Sequence, residues 1–383
     1  MKDKIQEQFN EFFGCQSQVL ASAPGRLEIL GNHTDYNEGF VLSCGVTQRT
    51  FFAAAGATTG TICRIKDARD ESKRQFDLAE MDMYIPGDWC NYIKGILCEL
   101  QRRNVDVRPF NGMILSSVPM AAGMASSAAL EISVAYALGA LFGVSFNPEE
   151  WARIGQGAEN NFVGANTGLL DQFTAINARR DHLVYTDFRS LNVETLPFTE
   201  TTVFVVANTG IRHDLTVEYN QRRESCEAAA AILGQQAESV KSLRDVSPAR
   251  LEETRENLGL LTYRRARHIV GENDRVHRGL ETLRRNDLEA FGQLLFESHE
   301  SSRENFENSC AELDILVKTG RSLPGCLGAR LSGGGFGGIT IHLVEKAEAD
   351  RYCERLATAY HGRLGVYPET TTCEIGDCAQ VYV

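Results

Sequence analysis

Residues 25–37 bring together an unusual set of side chains that could do chemistry. The segment reads GRLEILGNHTDYN and includes a cation, an imidazole, two carboxylates, a phenol and two carboxamides. The apolar residues Leu27, Ile29 and Leu30 predict a buried strand that leads into this polar cluster. Donors and acceptors of several kinds so close together suit a ligand covered in hydroxyl groups. The alternative is a polar turn in which Asp35 bonds only to nearby backbone.

A second segment, residues 119–131, reads PMAAGMASSAALE and indicates an anion site. A predicted strand ends at Val118, small residues follow, and good helix formers begin at Ala128. Such a loop leaves backbone N–H groups uncovered and directs them, with the helix dipole, at one spot. Ser126 and Ser127 could donate to phosphate oxygens or bind Mg²⁺, or they could simply cap the helix.

A third segment, residues 328–340, contains five glycines between positions 333 and 338. Gly333, Gly335 and Gly338 formally match the GxGxxG pattern of dinucleotide-binding folds. That pattern requires a helix to follow, whereas residues 339–344 form a β-branched run that predicts a strand. No lysine follows a glycine anywhere in the chain, so there is no Walker A motif either. A nucleotide would have to bind in another way.

Two isolated carboxylates complete the set of candidates. Asp171 lies among apolar residues in TGLLDQF, where an unpaired charge would be expensive, so we expect a partner such as Arg26. A helix-capping role for Asp171 is the alternative. Glu159, in AENN, is either a surface helix residue or an acidic metal ligand beside a serine-lined phosphate site.

Composition limits the possible classes of function. A chain of 383 residues predicts two packed α+β domains, which we divide as residues 1–190 and 191–383. The net charge of −12 argues against nucleic acid and anionic membrane as general partners. Eleven scattered cysteines favour free thiols in a reducing compartment, and residues 1–13 predict an amphipathic helix rather than a secretory signal. We therefore expect a cytoplasmic protein.

Periodicity predicts the elements that position the candidate residues. Strands are predicted over residues 39–55, 203–207 and 339–344, and a charged connection over residues 67–80. Helices are predicted over residues 89–100, 128–141, 148–160, 218–233 and 251–270.

The three segments, in this order, resemble the three signature motifs of the GHMP small-molecule kinases. The first is close to the galactokinase signature, which typically reads GR(V)N(L)IGEHTDYN. Further stretches are similar to family elements: WCNYIKG at 89–95, AEN with GLLDQ across 158–172, the block around Arg212, His213 and Tyr219, and the helix 265–273.

This resemblance implies a fold and an activity. The implied GHMP kinase fold is α+β, with an N-terminal domain like domain 2 of ribosomal protein S5 and a ferredoxin-like C-terminal domain. The active site would lie between the two domains. The implied reaction is ATP-dependent phosphorylation of D-galactose at the anomeric oxygen, giving galactose 1-phosphate and ADP. A monomer that binds a sugar, ATP and Mg²⁺ is expected.

The resemblance also implies roles for individual residues. Asp171 would be the general base or an orienting acceptor, and Arg26 would keep it ionised. The sugar would contact Asn32, His33, Thr34, Asp35, Gly168 and Tyr219. The ATP phosphates would be wrapped by Ala121, Ala122, Gly123, Met124, Ala125, Ser126 and Ser127. Mg²⁺ would bind Ser127 and Glu159, adenine would lie near Trp89 and Tyr92, and the loop with Gly334 and Gly335 would close over the site.

One departure from the pattern bears on the sugar. Galactokinases carry Glu where this chain has Asn32, and that Glu accepts a bond from the 6-hydroxyl of the sugar. A related sugar 1-kinase for a substrate altered at C6, such as galacturonate, is therefore an alternative. A non-catalytic sugar sensor is a second alternative, but the intact Ser126 and Ser127 argue against it.

Overall fold

Two β-sheets organise the protein in this computed structural model, which describes residues 1–57, 60–119, 123–211 and 216–382. The strands in these ranges are β1 (Val19–Leu30), β2 (Phe40–Gly56), β3 (Ile62–Asp67), β4 (Lys73–Asp77), β5 (Phe110–Ser116), β6 (His182–Asp187), β7 (Asn192–Pro197), β8 (Thr202–Asn208), β9 (Cys326–Ser332), β10 (Ile339–Glu345), β11 (Glu369–Cys373) and β12 (Gln380–Tyr382).

Helices cover the sheets and connect them. They are α1 (Lys2–Phe13), α2 (Cys90–Arg102), α3 (Ser126–Phe142), α4 (Pro148–Gly157), α5 (Leu170–Asn177), α6 (Thr216–Gln236), α7 (Pro248–Glu253), α8 (Arg255–Leu258), α9 (Leu260–Arg284), α10 (Leu288–Ser301), α11 (Ala311–Arg321) and α12 (Ala349–Leu364). Two π-helical turns extend α4 and α10, at Ala158–Val163 and Ser302–Phe306. No described helix is long and apolar enough to cross a membrane.

The first sheet is built around the long strand β2. Its strand order is β12-β1-β2-β5-β3-β4, and β6 and β7 extend it from the beginning of β2. Only the β3–β5 pair is parallel among the described strands. Strand β1 is buried along almost its whole length, which agrees with the apolar run at its end. This buried strand delivers Arg26 and the polar cluster after it to the middle of the molecule.

Helices pack on both faces of this sheet. Helix α3 is apolar on all sides, so burial is its stable environment, and it packs against β1 and β2 together with α2, α4 and α5. Helix α1 covers the opposite face through Ile5 and Phe9, which confirms the predicted amphipathic helix at the start of the chain.

The second sheet has the order β11-β8-β10-β9 and is antiparallel. Leu27 and Ile29 of β1 share one hydrophobic core with Phe204 of β8 and Ile341 of β10, together with residues of α9 and α10. Helices α11 and α12 cover the other face of the second sheet. The shared core joins the two sheets, so that the end of β1 meets the end of β9.

Several element predictions are confirmed and two are wrong. The predicted helix over residues 251–270 is interrupted at Thr254 and at Gly259, where φ is +67°. The predicted charged connection over residues 67–80 contains the strand β4, whose exposed, charged residues give no alternating pattern. The α+β class is confirmed. The domain division near residue 190 stays a prediction.

Candidate active site

An ion pair between Arg26 and Asp171 forms the centre of the site. Arg26 lies on β1 and Asp171 in the first turn of α5. Nε of Arg26 donates to Oδ1 of Asp171 at 2.8 Å, and Nη2 lies 2.7 Å from the same oxygen. Burial lowers the pKa of Arg26, but the carboxylates of Asp171 and Glu28 outweigh it, so its pKa rises above the ordinary value. The guanidinium is therefore permanently charged beside Asp171.

The partner carboxylate is open to a cavity of about 370 Å³. The side chain of Asp171 is 27% exposed, whereas that of Arg26 is 7% exposed. Residues from four parts of the chain line this cavity: Arg26, Glu28, Asn32, His33, Asp35, Ala165, Asn166, Thr167, Gly168, Leu170, Asp171, Tyr219, Asn220, Gly333 and Gly334. Several hydrogen-bond acceptors thus line the cavity, which is large enough for a monosaccharide.

His33 enters this cavity as a neutral imidazole. Burial lowers its pKa to about 4, and the nearby cations Arg222 and Arg330 act in the same direction. Nε2 lies 3.2 Å from the carbonyl oxygen of Gly334, which can only accept, so Nε2 carries the proton. Nδ1 then accepts from the hydroxyl of Tyr36 at 2.8 Å. The ring is fixed in one tautomer and packs against Tyr219.

Asp35 lies directly against Gly168. A Cβ at position 168 would overlap Oδ2 of Asp35, so only glycine fits there without displacing the carboxyl group. Burial and the negative charge of Glu28 raise the pKa of Asp35 to about 7. Asp35 is therefore a carboxyl group whose charge changes near neutral pH, and its position depends on the glycine opposite.

Asn32 lies in a buried network at the floor of the cavity. Its Nδ2 donates to Oε1 of Glu28 at 2.8 Å and to the carbonyl of Gly333 at 2.9 Å. Its Oδ1 accepts from Nδ2 of Asn308 at 3.0 Å. Nη2 of Arg330, which is fully buried, lies 3.2 Å from Oε1 of Glu28. The network connects β1, the glycine-rich loop and the segment after α10.

The start of α3 faces the same region. Nη1 of Arg26 donates to the carbonyl of Gly123 at 2.7 Å, and the backbone N–H of Arg26 donates to the carbonyl of Met124 at 3.0 Å. Ala125 precedes the first turn in the left-handed conformation, with φ of 53°. The first N–H groups of α3, from Ser126 onwards, have no partner within the helix, which suits an anion. Ala121 and Ala122 lie outside the described residues.

Ser127 and Glu159 meet at this helix start. Oγ of Ser127 donates to Oε1 of Glu159 at 3.0 Å, and Thr167 donates to Oε2 at 2.8 Å. Two oxygens at adjacent corners of a Mg²⁺ octahedron, with bonds of 2.0–2.1 Å, are also about 3 Å apart. Burial and the charge of Asp171 raise the pKa of Glu159, so a cation here would favour its ionised form. The two side chains fit a Mg²⁺ site.

A second carboxyl group supports Glu159 from inside the protein. Nε2 of Gln172 donates to Oε2 of Glu131 at 2.8 Å and to Oε2 of Glu159 at 3.1 Å. Glu131 is fully buried, and burial and the charge of Glu159 raise its pKa well above the ordinary value. Oε1 of Glu131 and Oε1 of Gln172 have no partner among the described residues. Gln172 thus bridges the two carboxyl groups, and burial of Glu131 favours its neutral form beside Glu159.

The glycine-rich loop lies over the other side of the cavity. The carbonyls of Gly333 and Gly334 accept from Asn32 and His33. Gly335 has φ of +84°, and a Cβ there would overlap the carbonyl oxygen of Asn308. The loop therefore contributes backbone carbonyls, rather than side chains, to this side of the cavity. The loop is followed by β10, as predicted.

The remaining sequence candidates lie outside the cavity lining. The hydroxyl of Thr34 is within hydrogen-bond distance of the carbonyls of Gly31 and Phe40, so it supports the loop beneath the cavity. Burial and the charges of Glu159 and Glu131 raise the pKa of Tyr92 to about 12, which places its ring near the start of α3. Trp89 precedes α2 and has Arg74 over its ring. Their roles stay predictions.

Sequence reasoning missed the network behind the cavity, namely Glu28, Glu131, Asn308 and Arg330. One signal was present in the sequence. The galactokinase pattern has Asn four positions before Glu, whereas this chain has Glu28 four positions before Asn32. The other three residues carried no such signal, since only the folded chain brings them together.

Comparison with known families agrees with this geometry. The galactokinase galactose-binding signature matches residues 7–56, the GHMP kinases N terminal domain residues 91–179, and the GHMP kinases C terminal residues 280–362. The galactokinase of Roseiflexus sp. (strain RS-1) is 37% identical over 377 residues, covering 98% of this chain and 95% of the relative. The galactokinase of Bos taurus is 36% identical over 372 residues, covering 95% of this chain and 93% of the relative.

Solved structures show the same relationship. The crystal structure of Lactococcus lactis galactokinase complexed with galactose matches with a TM-score of 0.94 and 29% identity, covering 99% of both chains. Methanococcus jannaschii mevalonate kinase has the same fold, with a TM-score of 0.66 and 15% identity, over 94% of this chain and 98% of that one. The fold is therefore that of a GHMP kinase, an enzyme class that uses ATP. The chain belongs to the galactokinase family within this class.

Proposed function

We propose that this protein phosphorylates D-galactose at its anomeric oxygen with ATP, giving galactose 1-phosphate and ADP. The observation that carries the proposal is the Arg26–Asp171 pair, which opens into a cavity of about 370 Å³. The pair lies next to the start of α3, because Arg26 also bonds the carbonyl of Gly123. An acceptor for a sugar hydroxyl and a site for phosphate oxygens are thus adjacent.

Asp171 is proposed to accept the proton of the anomeric hydroxyl as its oxygen attacks the γ-phosphorus of ATP. Arg26 orients Asp171 through its two bonds to Oδ1 and stabilises negative charge on the transferring phosphoryl group. In phosphoryl transfer, positioning and electrostatics supply most of the catalysis, so a rigid and buried guanidinium is well suited to this role. The intact pair argues against a non-catalytic sensor.

The sugar hydroxyls are proposed to contact His33, Asp35, Gly168 and Tyr219, while Asn32 would act at the sugar site through Glu28, which it holds. Both ring nitrogens of His33 are bonded within the protein, so His33 would meet the sugar through the edge or face of its ring, and Asp35 is an acceptor held against Gly168. Tyr219 packs beside His33 at a ring distance of 5.0 Å, so its apolar face can cover the sugar ring. Thr34 would act through the loop that it supports.

ATP is proposed to place its phosphates on the backbone from Gly123 to Ser127, at the positive end of α3. Ser127 and Glu159 would hold the Mg²⁺ that neutralises charge on the phosphates. We propose that Trp89 and Tyr92 lie near the adenine, and that Gly334 and Gly335 close over the bound substrates. Work as a monomer in the cytoplasm is also a proposal, supported for the compartment by the eleven unpaired cysteines.

Galactose suits the cavity better than galacturonate does. The carboxylates of Glu28, Asp35 and Asp171 all line the cavity, with Arg26 as the main cation among the lining residues. A second carboxylate on C6 of the substrate would be repelled by this charge, whereas a hydroxyl would be accepted. The absence of Glu at position 32 does not make the cavity neutral, because Glu28 is adjacent to it.

An ADP-release assay with galactose, galacturonate and glucose tests the proposal. We expect turnover with galactose, and a kcat/KM for galacturonate and for glucose at least about tenfold lower. Asp171→Asn serves as the inactive control that excludes a contaminating kinase. If galacturonate is turned over as fast as galactose or faster, galactose is not the preferred substrate. If none of the three sugars is turned over, the proposed activity is wrong.

A further inference from the structure

Glu28 lines the cavity without a role in the chemistry described so far. The residue is only 3% exposed, and its Oε1 is bound by Nδ2 of Asn32 at 2.8 Å and by Nη2 of Arg330 at 3.2 Å. Oε2 bonds no partner among the described residues, and it is not one of the atoms sealed from solvent. Glu28 therefore presents one free carboxylate oxygen to the cavity, with the rest of the group fixed.

Asn32, in contrast, has little capacity left for a ligand. Both hydrogens of its amide are donated, to Glu28 and to the carbonyl of Gly333. Its oxygen already accepts from Asn308. An amide can donate two hydrogen bonds, so Asn32 has no donor left for a sugar hydroxyl.

We infer that Glu28 is the carboxylate that accepts the hydrogen bond from the sugar's 6-hydroxyl, with Asn32 as its positioning residue. The inference rests on the proposed function for the identity of the sugar. The galactokinase pattern has Asn and Glu at these two positions, and this chain has Glu28 and Asn32. The pair has exchanged its two residue types, so it still offers one carboxylate and one amide.

The surroundings explain why one carboxylate must remain in the pair. Arg330 is fully buried, and Glu28 is the carboxylate that it contacts. Removing this carboxylate would leave a buried cation without its partner, which destabilises proteins strongly. Two carboxylates in the pair would repel each other, because the side chains touch. One carboxylate and one amide, in either order, satisfies both constraints.

Deoxy sugars separate recognition of a hydroxyl from support of the fold. In the unmodified enzyme, 6-deoxygalactose should have a lower kcat/KM than galactose because Glu28 loses its donor. The penalty for a deoxy sugar is the ratio of kcat/KM for galactose to kcat/KM for that sugar. In Glu28→Gln, the penalty for 6-deoxygalactose should shrink by about tenfold, since a neutral acceptor replaces a charged one. The penalty for 2-deoxygalactose, measured in the same two proteins, should not change.

The exchange variant Glu28→Asn/Asn32→Glu covers the case in which Glu28→Gln does not fold. It keeps one carboxylate for Arg330, so it should fold and regain most of the activity that each single change, Glu28→Asn or Asn32→Glu, removes. Its penalty for 6-deoxygalactose should match that of the unmodified enzyme. Additive losses in the double variant would overturn the inference.

Separate measurements test galactose phosphorylation and the role of Glu28. If the unmodified protein does not phosphorylate galactose, the proposed function fails. If it does, but Glu28→Gln lowers kcat/KM equally for galactose and for both deoxy sugars, only the role of Glu28 fails. A selective change in the 2-deoxy penalty would also overturn the assignment to the 6-hydroxyl.

Discussion

Arg26 and Asp171 form a single functional unit at the residue scale. The two side chains share bonds of 2.8 and 2.7 Å, and Arg26 reaches the backbone before α3 with its other nitrogen. The arginine therefore fixes the direction of Asp171 and also contacts the backbone before α3, where the phosphates are proposed to bind. We expect the two residues to depend on each other in catalysis.

Asp171→Asn should lower kcat by about 10²- to 10⁴-fold, the usual contribution of general acid–base catalysis. Arg26→Ala should also lose most of its kcat, and the double variant should lose much less than the product of the two single effects. Steady-state kinetics of the three variants test this. If the two losses simply multiply, the residues act independently.

Asp35 gives the free enzyme a pH-dependent stability. Its folded-state pKa of about 7 is raised by burial and by Glu28, so the folded protein binds a proton that the unfolded chain releases near pH 4. The destabilisation is therefore absent near pH 4 and grows as the pH rises to 7. We expect Asp35→Asn to be more stable than the unmodified protein at pH 7.5, and equally stable near pH 4.

Denaturant unfolding without ligands at a series of pH values measures this difference. Comparison with the variant cancels the titration of other buried groups such as Glu131. A stability difference that stays constant from pH 4 to 7.5 would show that Asp35 does not titrate in this range.

At the scale of elements, two helix beginnings and one π-helical turn form the proposed reaction site. The starts of α3 and α5 supply Ser127 and Asp171, and the π-helical turn after α4 supplies Glu159. Such π-turns are often found at functional sites, because the extra residue changes the direction of side chains. Here it brings Glu159 to Ser127, across 32 positions of the sequence.

Glu159→Gln should raise the Mg²⁺ concentration needed for half-maximal rate by about tenfold, because a charged ligand becomes neutral. Glu149→Gln on the exposed side of α4 is the matched control, since its carboxylate only pairs with Arg153. Titration of the rate with Mg²⁺ at fixed ATP distinguishes the two. The same Mg²⁺ dependence in Glu159→Gln and in the control would remove Glu159 from the metal site.

Gly168→Ala tests the contact between the segment before α5 and the loop after β1. The added Cβ would overlap the carboxyl group of Asp35 and displace it, which should reduce kcat/KM for galactose by up to about 10²-fold. Gly362→Ala is the control, because a Cβ there meets nothing within 4 Å. Unchanged kcat/KM in Gly168→Ala would show that the position of Asp35 is not needed for sugar binding.

The elements that were predictable from the sequence are those with a strong local pattern. Helix α3 and strand β8 follow from long apolar runs, and the strand after the glycine-rich loop follows from its β-branched residues. The break at Gly259 could not be read from periodicity, because α7 and α9 continue the same helical composition on both sides. Strand β4 is an exposed edge strand rich in charge, and edge strands commonly lack alternation.

The site was predictable only in part, for a similar reason. A carboxylate among apolar neighbours requires a cation, and this requirement is enough to predict Arg26 as a partner for Asp171. Nothing local to Glu28, Asn308 or Arg330 indicates that they share a network, because their contacts span about 300 positions of the chain. Such contacts depend on the packing of the two sheets, which no single segment encodes.

At the scale of the whole molecule, the cavity exists because both sheets contribute to it. Oγ of Ser332, at the end of β9, lies 3.1 Å from the backbone nitrogen and oxygen of Glu28 in β1. This joins the glycine-rich loop to the strand that carries Arg26. The cavity between them is lined from one side by residues of the first sheet and from the other by the loop and by Tyr219 of α6, where we propose that the sugar binds.

The central claim is that this cavity directs the anomeric oxygen of galactose to ATP. The most direct test is to incubate the protein with ATP, Mg²⁺ and galactose, and to locate the phosphate in the product by ³¹P and ¹H NMR. We predict one equivalent of ADP and a phosphate bonded to the oxygen on C1, with both formed at least about 10²-fold more slowly by Asp171→Asn. A phosphate at C6 or another carbon, or ADP released without a sugar phosphate, would contradict the account.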